Sequence, residues 1–157
     1  MENRRKLRES GLVLIILGIV NLFMFVATII GSIVDGTVAE SLANVDADLL
    51  VVVKALLIVA GVIMALLAAA DAFLGIKAIK VSKNPTASKG YITIAKVFLV
   101  LLCVVTVYHI IMTIVGGRAA AVDSGINLAN SALNIFIYNW FIKSAEDVRK
   151  DVLNETK

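Results

Sequence analysis

The sequence predicts an all-α, polytopic membrane protein: a bundle of four transmembrane helices with the N and C termini both cytoplasmic. Three observations carry this reading. Four apolar runs, each about 18 residues or longer, divide the chain. Lysine and arginine collect on alternate connections between them. Within the runs, the small and polar residues recur at helical spacing, so that each run has one face poor in large aliphatics. The composition agrees: of 157 residues, 60% are hydrophobic and only 17% charged, with a mean hydropathy of +0.95, whereas a soluble domain is about a quarter charged. No polar stretch is long enough for a separate soluble domain, so residues 1–157 are expected to form a single transmembrane domain.

The first ten residues, MENRRKLRES, are polar and basic, with Arg4, Arg5, Lys6 and Arg8. The first span follows over residues 11–34. It exceeds the ~7–15 apolar residues of a signal-peptide core and suffices for a ~30 Å bilayer interior. Gly11, Gly18, Asn21, Thr28 and Ser32 share one of its faces, with Leu14 and Phe25 filling the rhythm. Asp35 to Asp48 form an acidic connection in which Val38, Leu42, Val45 and Leu49 recur at helical spacing, suggesting a helical extension of the next span.

The second span, residues 50–79, is the longest and is expected to be the hub of the bundle. Gly61, Ala65, Ala68, Ala72 and Gly75 fall four, three, four and three residues apart and form a helix-packing face. In lipid such faces let backbones approach closely, because packing replaces the missing hydrophobic drive between helices. Lys54 is expected to snorkel to the outer interface, and Asp71 lies in the inner half of the span. Asn84-Pro85 is the strongest break in the chain, flanked by Lys77, Lys80, Lys83 and Lys89.

The third span, residues 91–115, is expected to end at Gly116-Gly117, followed by a short loop over 118–124. Cys103, Thr106, His109 and Thr113 share its polar face. The fourth span, residues 125–142, is the least apolar, with Asn127, Asn130, Asn134 and Tyr138 on one face and Ser131 beside them. Phe141, Ala145, Val148 and Val152 carry a helical stripe into residues 143–157, which reads as an amphipathic cytoplasmic extension. Tyr91 and Trp140 fall where a cytoplasmic aromatic belt would lie.

Lysine and arginine set the orientation: four in the N-terminal segment, none in the first connection, four around the second and one in the third. Residence as a multi-pass protein of the cytoplasmic (plasma) membrane follows. Its basic inner rim would attract anionic lipid headgroups, and no nucleic-acid partner is expected.

An ionisable residue within a span is a functional hypothesis by default. The candidate substrate or ion pathway comprises Asp71, His109, Asn21, Asn127, Asn130, Asn134 and Tyr138. Against it stand a carboxylate reaching toward nearby lysines, a hydrogen-bonded core histidine and asparagines that join helices. One cysteine and one histidine build neither a disulfide nor a paired metal site, and no phosphate-binding loop or nucleophile–base pair is present. No metal, cofactor or catalytic residue is therefore expected. The leading function is non-enzymatic: association, through helix packing, with a second copy or another membrane protein. The alternative is a small oligomeric transporter or channel that uses Asp71 and His109 in a polar interior. A membrane enzyme ranks third.

Overall fold

A computed structural model describes the backbone of residues 1–34 and 47–155, and the side chains of residues 1–27, 61–108, 110, 111, 114 and 128–155. The acidic connection, with Val38, Leu42 and Val45, lies outside the described residues. Among those described, the chain is helical, with no strand: α1, Glu2–Val34; α2, Ala47–Lys83; and α3, Gly90–Glu155.

The break between α2 and α3 is local chemistry. Asn84 N–H still donates to the Lys80 carbonyl at 2.9 Å, closing the last turn. Pro85, the only proline, lacks an N–H and disfavours helical geometry in the residue before it. Ser88 N–H then donates to Thr86 Oγ1 at 3.2 Å, and α3 restarts as Thr93 N–H reaches the Lys89 carbonyl at 3.0 Å.

The expected loop over 118–124 is not seen as a break: helical backbone continues through Gly116 and Gly117. Yet α3 is not a straight rod. At 1.5 Å per residue, Tyr91 and Phe141 would stand about 75 Å apart, whereas their ring centroids are 6.2 Å apart, edge to face. Phe98 meets Tyr138 at 6.4 Å, and Lys96 Nζ meets Glu146 Oε1 at 2.6 Å. The chain therefore doubles back, and the points midway between these partners fall at residues 116–121. The reversal lies where the glycine pair predicts a turn, but it is accomplished within helical backbone. Glycine, without a β-carbon, is suited to such departures.

The chain divides into two compact units. The first comprises Met1–Leu14 and Leu74–Lys157. Its core draws on Leu7, Gly11 and Leu14 of α1, Leu74, Ala78 and Val81 of α2, Tyr91 and Ala95 of the first arm of α3, and Tyr138, Phe141, Ala145 and Val148 of the second. Three- and four-residue steps on every segment give the knobs-into-holes stripe of a helical bundle. Polar contacts bind its end: Asn3 Nδ2 donates to Asp151 Oδ2 at 3.0 Å, Arg4 pairs with Glu155 at 3.8 Å, and Arg149 Nε donates to the Ala87 carbonyl at 3.1 Å. The C-terminal stripe is thus a structural part of this unit, with Phe141, Ala145 and Val148 buried and Val152 half-buried. Tyr91, placed by sequence in an aromatic belt, is buried here instead.

In the second unit, Ile15–Phe73, the described parts of α1 and α2 run antiparallel, with Gly18 against Ala68 and Asp71 and Phe25 against Gly61. The unit's described buried residues are Leu17, Gly18 and Asp71. Around them large apolar side chains point outward: Ile19, Phe23, Leu66 and Phe73 are more than half exposed. A water-soluble surface does not carry patches of this kind. Three helical stretches, Glu2–Ala27, Gly61–Lys83 and Gly90–Tyr108, are long and apolar enough to cross a membrane.

Candidate functional site

Among the described residues of the apolar helices, Asp71 is the buried carboxylate, 5% exposed. It sits against Gly18: a β-carbon at position 18 would stand 2.9 Å from the Asp71 β-carbon, 3.4 Å from its Oδ2 and 3.2 Å from the Ala68 carbonyl oxygen. Glycine at 18 is what lets α1 lie this close to a carboxylate-bearing turn. Asn21, one turn further along α1, is half-buried. Asn21 and Asp71 both interact with neighbours, so neither is a loose polar group.

The same closeness recurs along α2. A β-carbon at Gly11 would meet the Ala78 β-carbon at 2.6 Å and the Gly75 carbonyl oxygen at 2.9 Å, while at Gly61 it would find the Phe25 ring at 3.6 Å. Of the five small residues singled out on α2, Gly75 is buried, Gly61, Ala68 and Ala72 are half-buried and Ala65 is exposed. One edge of this stripe thus lies against α1. The centre of the buried face runs instead through Asp71 and Ala78, rotated about a quarter-turn from the stripe at ~100° per residue.

On the second arm of α3, Asn134 is buried and Asn130 exposed. Asn134 Nδ2 donates to the Asn130 carbonyl at 2.7 Å and lies 3.2 Å from Asn130 Oδ1. The asparagine face is therefore split: Asn134, Ser131 and Tyr138 turn inward while Asn130 turns out. Tyr138 packs against Phe98, and Asn139 is exposed. The Thr106 hydroxyl donates to the Leu102 carbonyl at 2.7 Å, and Cys103 is exposed. The side chains of His109, Asn127, Thr113, Thr28, Ser32 and Lys54 lie outside the described residues.

Two polar loci therefore emerge, Asp71 against Gly18 in one unit and Asn134 with Asn130 in the other. Among the described residues, no three His, Cys, Asp or Glu side chains converge as metal ligands. No protein-family model matches this chain. No curated protein and no solved structure is significantly similar to it either. A functional reading accordingly rests on geometry.

Two features were not anticipated from sequence. The Tyr91 hydroxyl is buried with no hydrogen-bond partner among the described residues; nothing in the local sequence separates an inward tyrosine from an interfacial one. Phe136, Asn139, Trp140 and Lys143 line an outward groove of about 610 Å³. Their i, i+3, i+4, i+7 spacing is visible in the sequence, but it does not say whether the shared face is covered.

Proposed function

We propose that this is a small integral membrane protein, crossing the bilayer four times with both termini cytoplasmic, that acts without catalysis by associating with itself or with another membrane protein. The crossing number is supported by the contacts of Asn3 with Asp151 and Arg4 with Glu155. A chain whose two ends lie together crosses an even number of times. The stretch over residues 125–142, on the returning arm of α3, then supplies a fourth crossing beside the three apolar helices. Arg149 ties the 84–89 connection to the same end, and the basic residues of all three segments favour the cytoplasmic side of a plasma membrane and its anionic headgroups.

The observation that carries association is the small covered fraction of the apolar helices: 28%, 22% and 17% of their most apolar windows are buried. The free faces include Ala65 and Ala69, beside the half-buried Ala72, where a partner helix can approach closely. Polar groups support a packing role: Asn134, Thr106, Ser10 and Ser82 all donate to backbone carbonyls of their own helices. The test is oligomeric state in bilayers or mild detergent, by cross-linking and mass. A dimer or higher assembly, or a defined membrane partner, weakened by Ala65→Leu and Ala69→Leu, is expected. A strict monomer with no membrane partner overturns the reading.

A second reading has one observation in its favour: Asp71 is a buried carboxylate on an apolar helix, a position characteristic of transport pathways. A transporter or channel that uses it would lose proton- or cation-coupled flux in liposomes on Asp71→Asn. Unchanged flux removes Asp71 from any such mechanism.

A further inference from the structure

We propose that the outward groove on the second arm of α3 binds one anionic phospholipid, its acyl chain along Phe136 and Trp140 and its phosphate at Lys143 and Asn139. The groove has the polarity order of such a lipid. Phe136 at one end is 67% exposed, Asn139 and the half-buried Trp140 occupy the middle, and Lys143 closes the other end. Seven residues of helix rise about 10 Å, which spans the passage from acyl region to headgroup. The volume of about 610 Å³ lies within the roughly 300–1,000 Å³ of ligand-sized clefts. Tryptophan is well suited to this depth, with an apolar body and one N–H donor.

Charge selects the occupant. Of the other described cations on this arm, Lys150 pairs with Asp147 at 3.7 Å and Arg149 donates to the Ala87 carbonyl. Lys96, on the facing arm, is held by Glu146. Among the described residues Lys143 has no carboxylate within 4 Å and is exposed at the mouth of the groove. An unpaired ammonium at the edge of an apolar groove attracts a phosphate, and a net-negative headgroup over a zwitterionic one.

The inference rests on this arm lying in the bilayer, and one experiment separates the two. Trp140 is the only tryptophan, so its fluorescence reports the groove alone. The full chain is reconstituted in vesicles containing brominated phosphatidylglycerol or brominated phosphatidylcholine. Quenching by both lipids establishes the bilayer placement; quenching by neither overturns that placement and the site with it. A roughly fivefold higher relative affinity for the anionic quencher is expected, the worth of one surface cation. It is expected to vanish in Lys143→Gln and to persist in Lys150→Gln, whose lysine is already paired. Equal quenching by the two lipids in the unaltered protein overturns the site. So does a preference that survives Lys143→Gln or is lost equally in Lys150→Gln. Because Lys143 is exposed, its replacement leaves the core intact, which circular dichroism checks.

Discussion

The two compact units hold helices together in different ways. In the unit containing both ends of the chain, a close approach of Gly11 to Gly75 and Ala78 is joined by large buried side chains: Phe141 is fully buried and meets the Tyr91 ring edge to face. Polar pairs fasten its end, including Lys96–Glu146 across the two arms of α3. In the unit of Ile15–Phe73 the contact is made by small residues, with Gly18 against Ala68 and Asp71 and Gly61 against Phe25. Most described large side chains there face outward. The two kinds of contact draw on different physics. Large aromatic and aliphatic side chains gain through the area they cover, about 25 cal/mol per Å² where that area leaves water. Small residues gain through the closeness of backbones they permit, which does not depend on water.

This contrast can be broken at its strongest point first. Phe141→Ala removes the fully buried ring at the centre of the first unit and is expected to cost about 3–5 kcal/mol. Reversible unfolding in mixed detergent micelles measures it; a loss below about 1 kcal/mol would mean that interlocking does not hold this unit. The glycine contacts come next. Gly11→Ala and Gly18→Ala place a methyl at 2.6 Å and 2.9 Å from the nearest facing atoms, and each is expected to cost about 1–3 kcal/mol. Gly61→Ala, with its nearest neighbour at 3.6 Å, is expected to be neutral or to stabilise by up to about 1 kcal/mol through helix propensity. A uniform response of the three in the same unfolding assay would show that close approach is not what joins α1 to α2.

The smallest effect sharpens the description of the first unit. Tyr91→Phe keeps the ring contact with Phe141 and deletes a buried hydroxyl that has no hydrogen-bond partner among the described residues. Leaving a polar group buried and unpaired costs about 1–3 kcal/mol. Its removal is therefore expected to leave stability unchanged or raise it by about 1 kcal/mol. A clear loss would reveal a hydrogen bond to the Tyr91 hydroxyl, which an ordered water would supply.

The close contact between α1 and α2 was legible on the α1 side. Gly11 and Gly18, seven residues apart, predict a shared face, and both glycines are buried. The break at Asn84-Pro85 was readable from backbone chemistry alone. The asparagine stripe was only partly legible. A seven-residue rhythm puts Asn127, Asn130 and Asn134 on one side of a helix, but it does not say where the edge of the buried face falls. Asn134 lies inside that edge and Asn130 outside it.

By itself the sequence determined an all-helical chain with apolar helices long enough to cross a membrane, and it determined the break at Asn84-Pro85. Helical period, apolar length, glycine and proline are properties of a segment and its immediate neighbours. Only the tertiary structure decided which faces meet: that Gly18 opens onto Asp71, that Tyr91 packs on Phe141 fifty residues away, and that Trp140 and Lys143 border an open groove. Those outcomes depend on the rotation of each helix about its axis and on surfaces brought from distant parts of the chain. Local periodicity fixes neither.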